Sequence, residues 1–198
     1  MHPRLHLQLP DWIAEEIGDP QRPFTTVEDR MALAIRLAAR NVELGGGPFG
    51  AAVFEIDSGR LVAPGVNLVL PLNSSLAHAE AIAIMAAEQA LGTHDLGAEG
   101  LPPMELVTSA QPCIQCYGIT WWSGVQRLVI GATKEDVETI TGFVEGPLPN
   151  DWVDQLGHRD PLQPVTVIQD VLGDEARAVL RRYREISGAV YNPGGAVL

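Results

Sequence analysis

Hydrophobic residues recur at a helical spacing early in the chain, and short apolar runs take over further along. Thr25 with Glu28 three positions later forms the capping-box pattern that starts many helices, and the helix that follows is predicted to end near Leu44. Apolar residues three or four positions apart give this helix one buried face: Met31, Ile35, Ala38 and Val42. Three glycines and a proline at 45–48 then break the helical pattern.

The rest of the pattern predicts helices that alternate with strands. Apolar runs predict strands at 49–56, 61–70, 104–108, 127–132 and 165–169, with a hairpin turn between the first two. Helices are predicted at 11–18, 75–91, 113–122, 135–139 and 174–186, and 142–164 is predicted as a loop. The 75–91 helix is apolar nearly all round and should be buried. The alternation predicts a three-layer α/β/α sandwich with a mixed central sheet.

The size and composition of the chain fit one globular domain. It has 198 residues, of which 46% are hydrophobic and 19% are charged, so it can bury a sizeable core. Because no internal repeat or low-complexity segment divides the sequence, we expect a single domain over 1–198.

The charge balance narrows the possible partners. Thirteen basic residues face twenty-five acidic ones, so the formal net charge is −12, and Lys134 is the only lysine. Nucleic acids and anionic membranes are recognised mainly through Lys and Arg, so neither is expected as a partner. No secretory signal is visible, and the two cysteines, Cys113 and Cys116, cannot form a disulfide framework. We therefore expect a small-molecule partner and a cytoplasmic location.

Two short polar motifs open two of the predicted helices. The first is His78-Ala79-Glu80, and the second is Pro112-Cys113-Ile114-Gln115-Cys116. His78, Cys113 and Cys116 suit a tetrahedral Zn²⁺ whose fourth position is left for water, as in catalytic zinc sites. Glu80 would stand close to that metal and could carry protons. The two motifs together predict one catalytic Zn²⁺ per chain.

Each motif alone has a simpler interpretation. A single histidine is more often a hydrogen-bonded core residue than a ligand, and a lone C-x-x-C is at least as often redox-active or structural as catalytic. A zinc-stabilised binding module without turnover is a further alternative. Glu80 argues against that alternative, because a purely structural site needs no carboxylate there. The combination of residues favours a catalytic site.

The combination of H-x-E with P-C-x-x-C resembles the signature of the cytidine deaminase superfamily. The resemblance implies an α/β/α fold and hydrolytic deamination. In that reaction a zinc-activated water attacks an amine-bearing ring carbon, Glu80 shuttles protons and ammonia leaves. Two residues depart from the family pattern: Gln111 stands where glutamate is usual, and Ile119 stands where a small residue is usual.

Further segments resemble the guanine deaminase branch of this superfamily, in its bacterial type with a long C-terminus. The resemblance covers a core at 27–149 and extends more loosely over the last helix and the Tyr191-Asn192 tail. The matching segments are Gly47-Pro48-Phe49-Gly50, Asn67, Ser75-Leu76-Ala77-His78-Ala79-Glu80, Thr108-Ser109-Ala110-Gln111-Pro112-Cys113, Trp122 and Gly142-Phe143-Val144-Glu145. The branch also implies a homodimer, in which 150–198 could be exchanged between subunits.

The same resemblance implies conversion of guanine to xanthine and ammonia, with Glu145 as a second catalytic carboxylate. Glu145 would face the N1–H and 2-amino edge of guanine, because a carboxylate can accept from two adjacent donors. The other implied substrate contacts are Phe49 packed on the purine, Asn67 on the ring edge, Phe143 in the pocket wall, and Ala79 and Trp122 beside them. An aminotriazine such as ammeline, cytosine and guanosine remain open as substrates, whereas adenosine in tRNA would require a basic face.

Overall fold

Residues 7–192, the part of the chain that the computed structural model describes, form alternating helices and strands. In chain order the elements are α1 (Ile13–Ile17), α2 (Val27–Glu43), β1 (Gly50–Glu55), β2 (Leu61–Val66), α3 (Val69–Leu72), α4 (Ala79–Leu91), β3 (Met104–Ala110), α5 (Ile114–Trp122), β4 (Arg127–Ala132), α6 (Lys134–Thr141), α7 (Trp152–Gly157), β5 (Thr166–Ile168) and α8 (Gly173–Glu185). Within these residues, no helix has the length and apolar character needed to cross a membrane.

The strands form one mixed sheet in the order β2-β1-β3-β4-β5. β1 is antiparallel to both of its neighbours, whereas β3, β4 and β5 run parallel. Parallel neighbours need crossover connections, which α5 supplies between β3 and β4. The carboxyl end of β3 leads directly into the segment that carries Cys113. Such an edge is where ligands of α/β sheets commonly bind.

Helices cover both faces of the sheet, as the predicted sandwich requires. On one face α2 and α8 place Leu37 and Tyr183 in a core cluster with Val107 of β3. On the other face α4 places Ala83 in a second cluster with Leu106, also of β3. Adjacent residues of one strand therefore serve opposite layers, as the pleat of a strand dictates. The predicted fold class is confirmed.

Two helices begin later than the sequence pattern predicts. The cap of α2 is Thr26 rather than Thr25, and its hydroxyl accepts from the Asp29 backbone N–H at 3.0 Å. α4 begins at Ala79 rather than at residue 75, so His78 is its N-cap with extended backbone angles. The preceding residues are held out of the helix because the Ala77 carbonyl accepts from the Leu68 N–H at 2.8 Å.

Two other segments also differ from the prediction. The second strand ends at Val66 instead of continuing through residue 70, because the Leu68 N–H turns away to Ala77 and α3 follows. The predicted loop at 142–164 contains α7, whose Leu156 is fully buried. Six residues with one buried apolar side chain are too short to show a clear helical period.

The end of the sheet away from the Cys113 segment carries a buried ionic group. Glu105 of β3 is fully buried, and both Arg30 of α2 and Arg127 of β4 donate to its carboxylate. Arg30 also donates to the carbonyls of Phe24 at 2.8 Å and Ile56 at 3.0 Å. A buried charge is tolerated when its partners satisfy it, so this group joins three elements at one end of the sheet.

Candidate active site

Three metal-ligating side chains meet at the starts of two helices. His78 is the N-cap of α4, Cys113 is the N-cap of α5, and Cys116 lies in the first turn of α5. Their ligand atoms lie within 4.8 Å of one another. Both sulfurs stand 3.5 Å from His78 Nδ1. Helix N-termini favour negative charge, which suits two thiolates.

These distances fit a tetrahedral zinc ion. Zn–S bonds of about 2.3 Å and Zn–N bonds of about 2.0 to 2.1 Å at a tetrahedral angle separate sulfur and nitrogen by about 3.6 Å. A hydrogen bond from Cys116 lowers the pKa of the Cys113 thiol to about 4, so one ligand is already anionic near neutral pH. The donor set and its spacing therefore match the predicted zinc site.

Glu80 lies two residues after the ligand His78, in the first turn of α4. Its side chain is 6% exposed and reaches the cavity beside the metal ligands. Burial raises the pKa of the Glu80 carboxyl, and the neighbouring negative charge of Cys113 acts in the same direction. A carboxylate whose pKa is raised toward neutral is suited to take up and return a proton.

A cavity of about 320 Å³ opens in front of the metal ligands. It brings together most of the predicted site residues, together with several that the sequence did not single out as contacts. The predicted ones are Phe49, Asn67, His78, Glu80, Cys113, Phe143 and Glu145. The others include Ser75, Gln111, Ile114, Tyr191 and Asn192. The volume is at the lower end of small-molecule sites, which begin at about 300 Å³.

Glu145 stands in a loop that is fixed to the start of the zinc-ligand helix. Its carbonyl accepts from the Ile114 backbone N–H at 3.0 Å. Burial raises the pKa of the Glu145 carboxyl to about 8, with the negative charges of Cys113 and Glu80 acting in the same direction. The cavity therefore contains a second carboxyl group besides Glu80, and its contact with a substrate stays a prediction.

The two aromatic residues expected in the pocket form one of its walls. The rings of Phe49 and Phe143 have centroids 5.5 Å apart and are tilted by 56°. Phe49 is half-buried, so part of its ring remains available, whereas Phe143 is buried. This wall suits a flat aromatic ligand.

The tail after α8 completes the cavity with two residues that a sequence pattern does not reveal. Tyr191 packs its ring 4.7 Å from that of Phe143 and donates its hydroxyl to Asn67 Oδ1 at 2.9 Å. Asn192 donates to the Gly142 carbonyl and accepts from the Val144 N–H, both at 3.0 Å. In the sequence, only the looser resemblance of the Tyr191-Asn192 tail to the guanine deaminase branch could have indicated that these residues line the cavity.

Two predicted contacts do not line this cavity. Trp122 is 78% exposed and lies in a surface groove between α4 and α5. Ala79 is fully buried between the two functional residues of its motif. Their contact with a substrate stays a prediction.

The two departures from the family pattern have simple structural settings. Gln111 Oε1 accepts from the Lys134 backbone N–H at 3.1 Å, so it supplies the acceptor that a glutamate would also supply. Ile119 is partly buried against the cluster on the α4 face of the sheet. Neither residue disturbs the metal ligands.

Comparison with known families identifies the class of the protein. A family model described as the cytidine and deoxycytidylate deaminase zinc-binding region matches residues 25–132. The chain belongs to this family, which makes it a zinc-dependent deaminase by fold and by metal site.

Particular relatives narrow the class. Guanine deaminase of Bacillus subtilis (strain 168) is 36% identical over 104 residues, which are 52% of this chain and 62% of that protein. The solved guanine deaminase of Nitrosomonas europaea is 45% identical, with a TM-score of 0.86, over 93% of this chain and 98% of that one. A solved protein in complex with 8-azaguanine is 45% identical, with a TM-score of 0.87, over 94% and 98% of the two chains.

Proposed function

We propose that this protein deaminates guanine by hydrolysis and yields xanthine and ammonia. The observation that carries the proposal is the Glu145 carboxyl in the same cavity as Glu80 and the metal ligands. The similarity to guanine deaminase of Nitrosomonas europaea over nearly the whole chain supports it. The similarity to a protein in complex with 8-azaguanine supports the same ligand class.

Recognition of guanine is proposed to rest on shape and on one polar edge. Phe49 and Phe143 offer a flat apolar wall for a purine ring. Guanine presents two adjacent donors, N1–H and the 2-amino group. Both would stabilise the ionised form of the Glu145 carboxyl, which can accept from both, and so would offset the rise in its pKa that burial causes. The Asn67 oxygen is occupied by the Tyr191 hydroxyl and the Val69 N–H, so its NH₂ group is left to donate to the base.

The proposed chemistry divides the work between the metal and two carboxyl groups. Zinc, when bound, supplies Lewis-acid activation of water at neutral pH. Glu80 takes a proton from the attacking water and returns it to the departing amine. The new C–O bond forms at C2 of guanine, the C2–N bond breaks, and the nitrogen leaves as ammonia. Glu145 holds the N1–H and amino edge while this happens.

The decisive experiment measures ammonia release from guanine, guanosine, cytosine, adenine and ammeline, together with the zinc content of the same sample. We expect guanine to be the best substrate and ammeline to be slower, because ammeline presents a comparable amide and amino edge. Adenine and cytosine should be poor, since a buried carboxylate would lose its donors. Faster turnover of cytosine would overturn the guanine proposal, and zinc without any ammonia release would favour the binding-module alternative.

We also propose that the protein is a cytoplasmic homodimer. Trp122 and Met85 are both exposed in the lining of one groove between α4 and α5, and contiguous exposed apolar surface is a mark of interaction sites. α8 packs against α2 and α6 of its own chain, so packing of α8 does not require exchange of 150–198. Light scattering of the wild type and of Trp122→Glu tests the interface, and we expect a dimer and a monomer, respectively.

A further inference from the structure

The Glu145 loop is tied to helix α6 by two side chains that do not line the cavity. Lys134 Nζ donates to the Gly146 carbonyl at 2.6 Å. Glu138 Oε1 accepts from the Glu145 backbone N–H at 3.1 Å. The two side chains also pair with each other, with Nζ and Oε1 3.6 Å apart. Both contacts therefore fall on the residue that carries the carboxyl group or on its neighbour.

Helix α6 is itself a firm base for these contacts. Thr133 and Asp136 form a reciprocal capping box at its start. Gln111 Oε1 accepts from the Lys134 N–H, which links the helix to the segment just before the ligand Cys113. Val137 is fully buried in the core. The helix thus connects the metal-ligand segment to the Glu145 loop.

Two residues before Glu145, the loop is anchored by the buried ring of Phe143, and closer to Glu145 it has few other attachments. One is the hydrogen bond that the Glu145 carbonyl accepts from the Ile114 N–H. The Asn192 side chain binds the loop earlier in the sequence, at Gly142 and Val144. Val144 is 70% exposed, so apolar packing adds little there. The direction in which the Glu145 side chain leaves the backbone is therefore set mainly by hydrogen bonds on either side of it.

We propose that Lys134 and Glu138 are positioning residues that fix the Glu145 carboxyl against the substrate edge. The inference rests on the proposed function, because it concerns the placement of the group that would hold guanine. A lysine ammonium is compact and has three donors, so one group can serve a carbonyl and a carboxylate at once. The chain uses its single lysine at this place.

The test compares substitutions that break each contact with substitutions that keep it. Glu138→Ala removes the acceptor, whereas Glu138→Gln keeps an oxygen for the Glu145 N–H and removes only the charge. Lys134→Met removes the donor, whereas Lys134→Arg keeps one. Glu135→Ala is the matched control, because Glu135 is exposed on the same helix and has no side-chain partner among residues 7–192.

Kinetics should separate positioning from a structural role. A misplacement of about 1 Å can cost on the order of 10²-fold in rate, so we expect Glu138→Ala and Lys134→Met to lower kcat by about 10-fold. Glu138→Gln, Lys134→Arg and Glu135→Ala should stay within about threefold of the wild type. The thermal midpoint and zinc content should change little in all five variants. A fall in the midpoint with kcat unchanged would overturn the proposal, as would equal losses in Glu138→Ala and Glu138→Gln.

Amide hydrogen exchange of residues 142–146 gives a second measurement that needs no substrate. Glu138→Ala should speed exchange at the Glu145 amide, and Glu138→Gln should leave it protected. Unchanged protection in Glu138→Ala would overturn the inference. Failure of the proposed function and failure of the positioning role can be told apart. A wild type that leaves guanine intact overturns the proposed function. The exchange result, together with kcat on any amino-heterocycle that is turned over, then tests the positioning role alone.

Discussion

The cavity has two walls that are built in different ways. The metal wall consists of His78, Glu80, Cys113 and Cys116, all within one turn of a helix start and packed into the core. The second wall consists of Phe143, Glu145, Tyr191 and Asn192, which lie in a loop and in the tail after α8. Side-chain hydrogen bonds between residues far apart in sequence hold this second wall.

Under the proposed function, the difference separates the groups that make and break bonds from the groups that select the substrate. Metal ligands must keep their spacing within tenths of an ångström, which a helix start in a packed core can guarantee. Substrate contacts can stand on loops that a rigid scaffold positions, and such loops can change without changing the scaffold. Substitutions in the two walls should therefore fail in different ways.

The largest effect is expected from the metal ligands. Cys113→Ala or Cys116→Ala should lose zinc and all measurable turnover, and the thermal midpoint should fall with them, because metal binding is coupled to folding. Elemental analysis of the wild type should give about one Zn²⁺ per chain. Full zinc occupancy in both variants would show that the ligand assignment is wrong.

Glu80 should separate chemistry from metal binding within the same wall. Glu80→Gln should keep zinc and fold but lower kcat by at least about 10²-fold, because an amide cannot accept and return the proton. Glu88→Gln, further along α4 and away from the cavity, is the control. Turnover close to that of the wild type in Glu80→Gln would mean that another group transfers the proton, with Glu145 as the first candidate.

Glu145 should affect recognition far more than metal content. Glu145→Ala should reduce kcat/KM for guanine by about 10- to 10²-fold, the value of hydrogen bonds to a charged group, with zinc retained. Glu145→Gln should be intermediate, because its carbonyl accepts while its NH₂ group opposes a second donor. Steady-state kinetics on guanine and cytosine give kcat/KM for each variant. Unchanged guanine kinetics in Glu145→Ala would show that Glu145 does not contact the substrate.

The smallest effect is expected from the tail. Tyr191→Phe keeps the ring against Phe143 but removes the hydroxyl that binds Asn67, so KM for guanine should rise about two- to tenfold. The value of kcat should hold, because no reacting group is touched. A loss confined to kcat would contradict this division between the walls.

The two walls also differ in how far the sequence predicts them. His78, Glu80, Cys113 and Cys116 lie in two short motifs whose residue types and spacing already state the chemistry. The main layers of the sandwich follow from apolar periodicity in the same direct way. These features depend on residues that are close together in the sequence, so a local sequence pattern is enough to predict them.

The rest depends on contacts that leave no local pattern. Tyr191 meets Asn67 across most of the chain, and Lys134 and Glu138 look like solvent-facing residues of an ordinary helix. The exact start of a helix is another such feature. Either Thr25 or Thr26 could cap α2, and the extended backbone at Thr26, together with its hydrogen bond from Asp29, decides between them. Such features become visible only once the chain is folded.

The buried group of Glu105, Arg30 and Arg127 has a consequence for how this protein can vary. It lies near the start of β3, five residues from Ala110, where β3 ends below the metal ligands, a distance of about 17 Å along a strand. Effects of substitutions more than about 7 to 10 Å apart usually add without interacting. Substitutions that strengthen or weaken the ionic group should therefore change the stability of the protein without changing its choice of substrate, and a more stable ionic group would offset the cost of destabilising changes in the cavity.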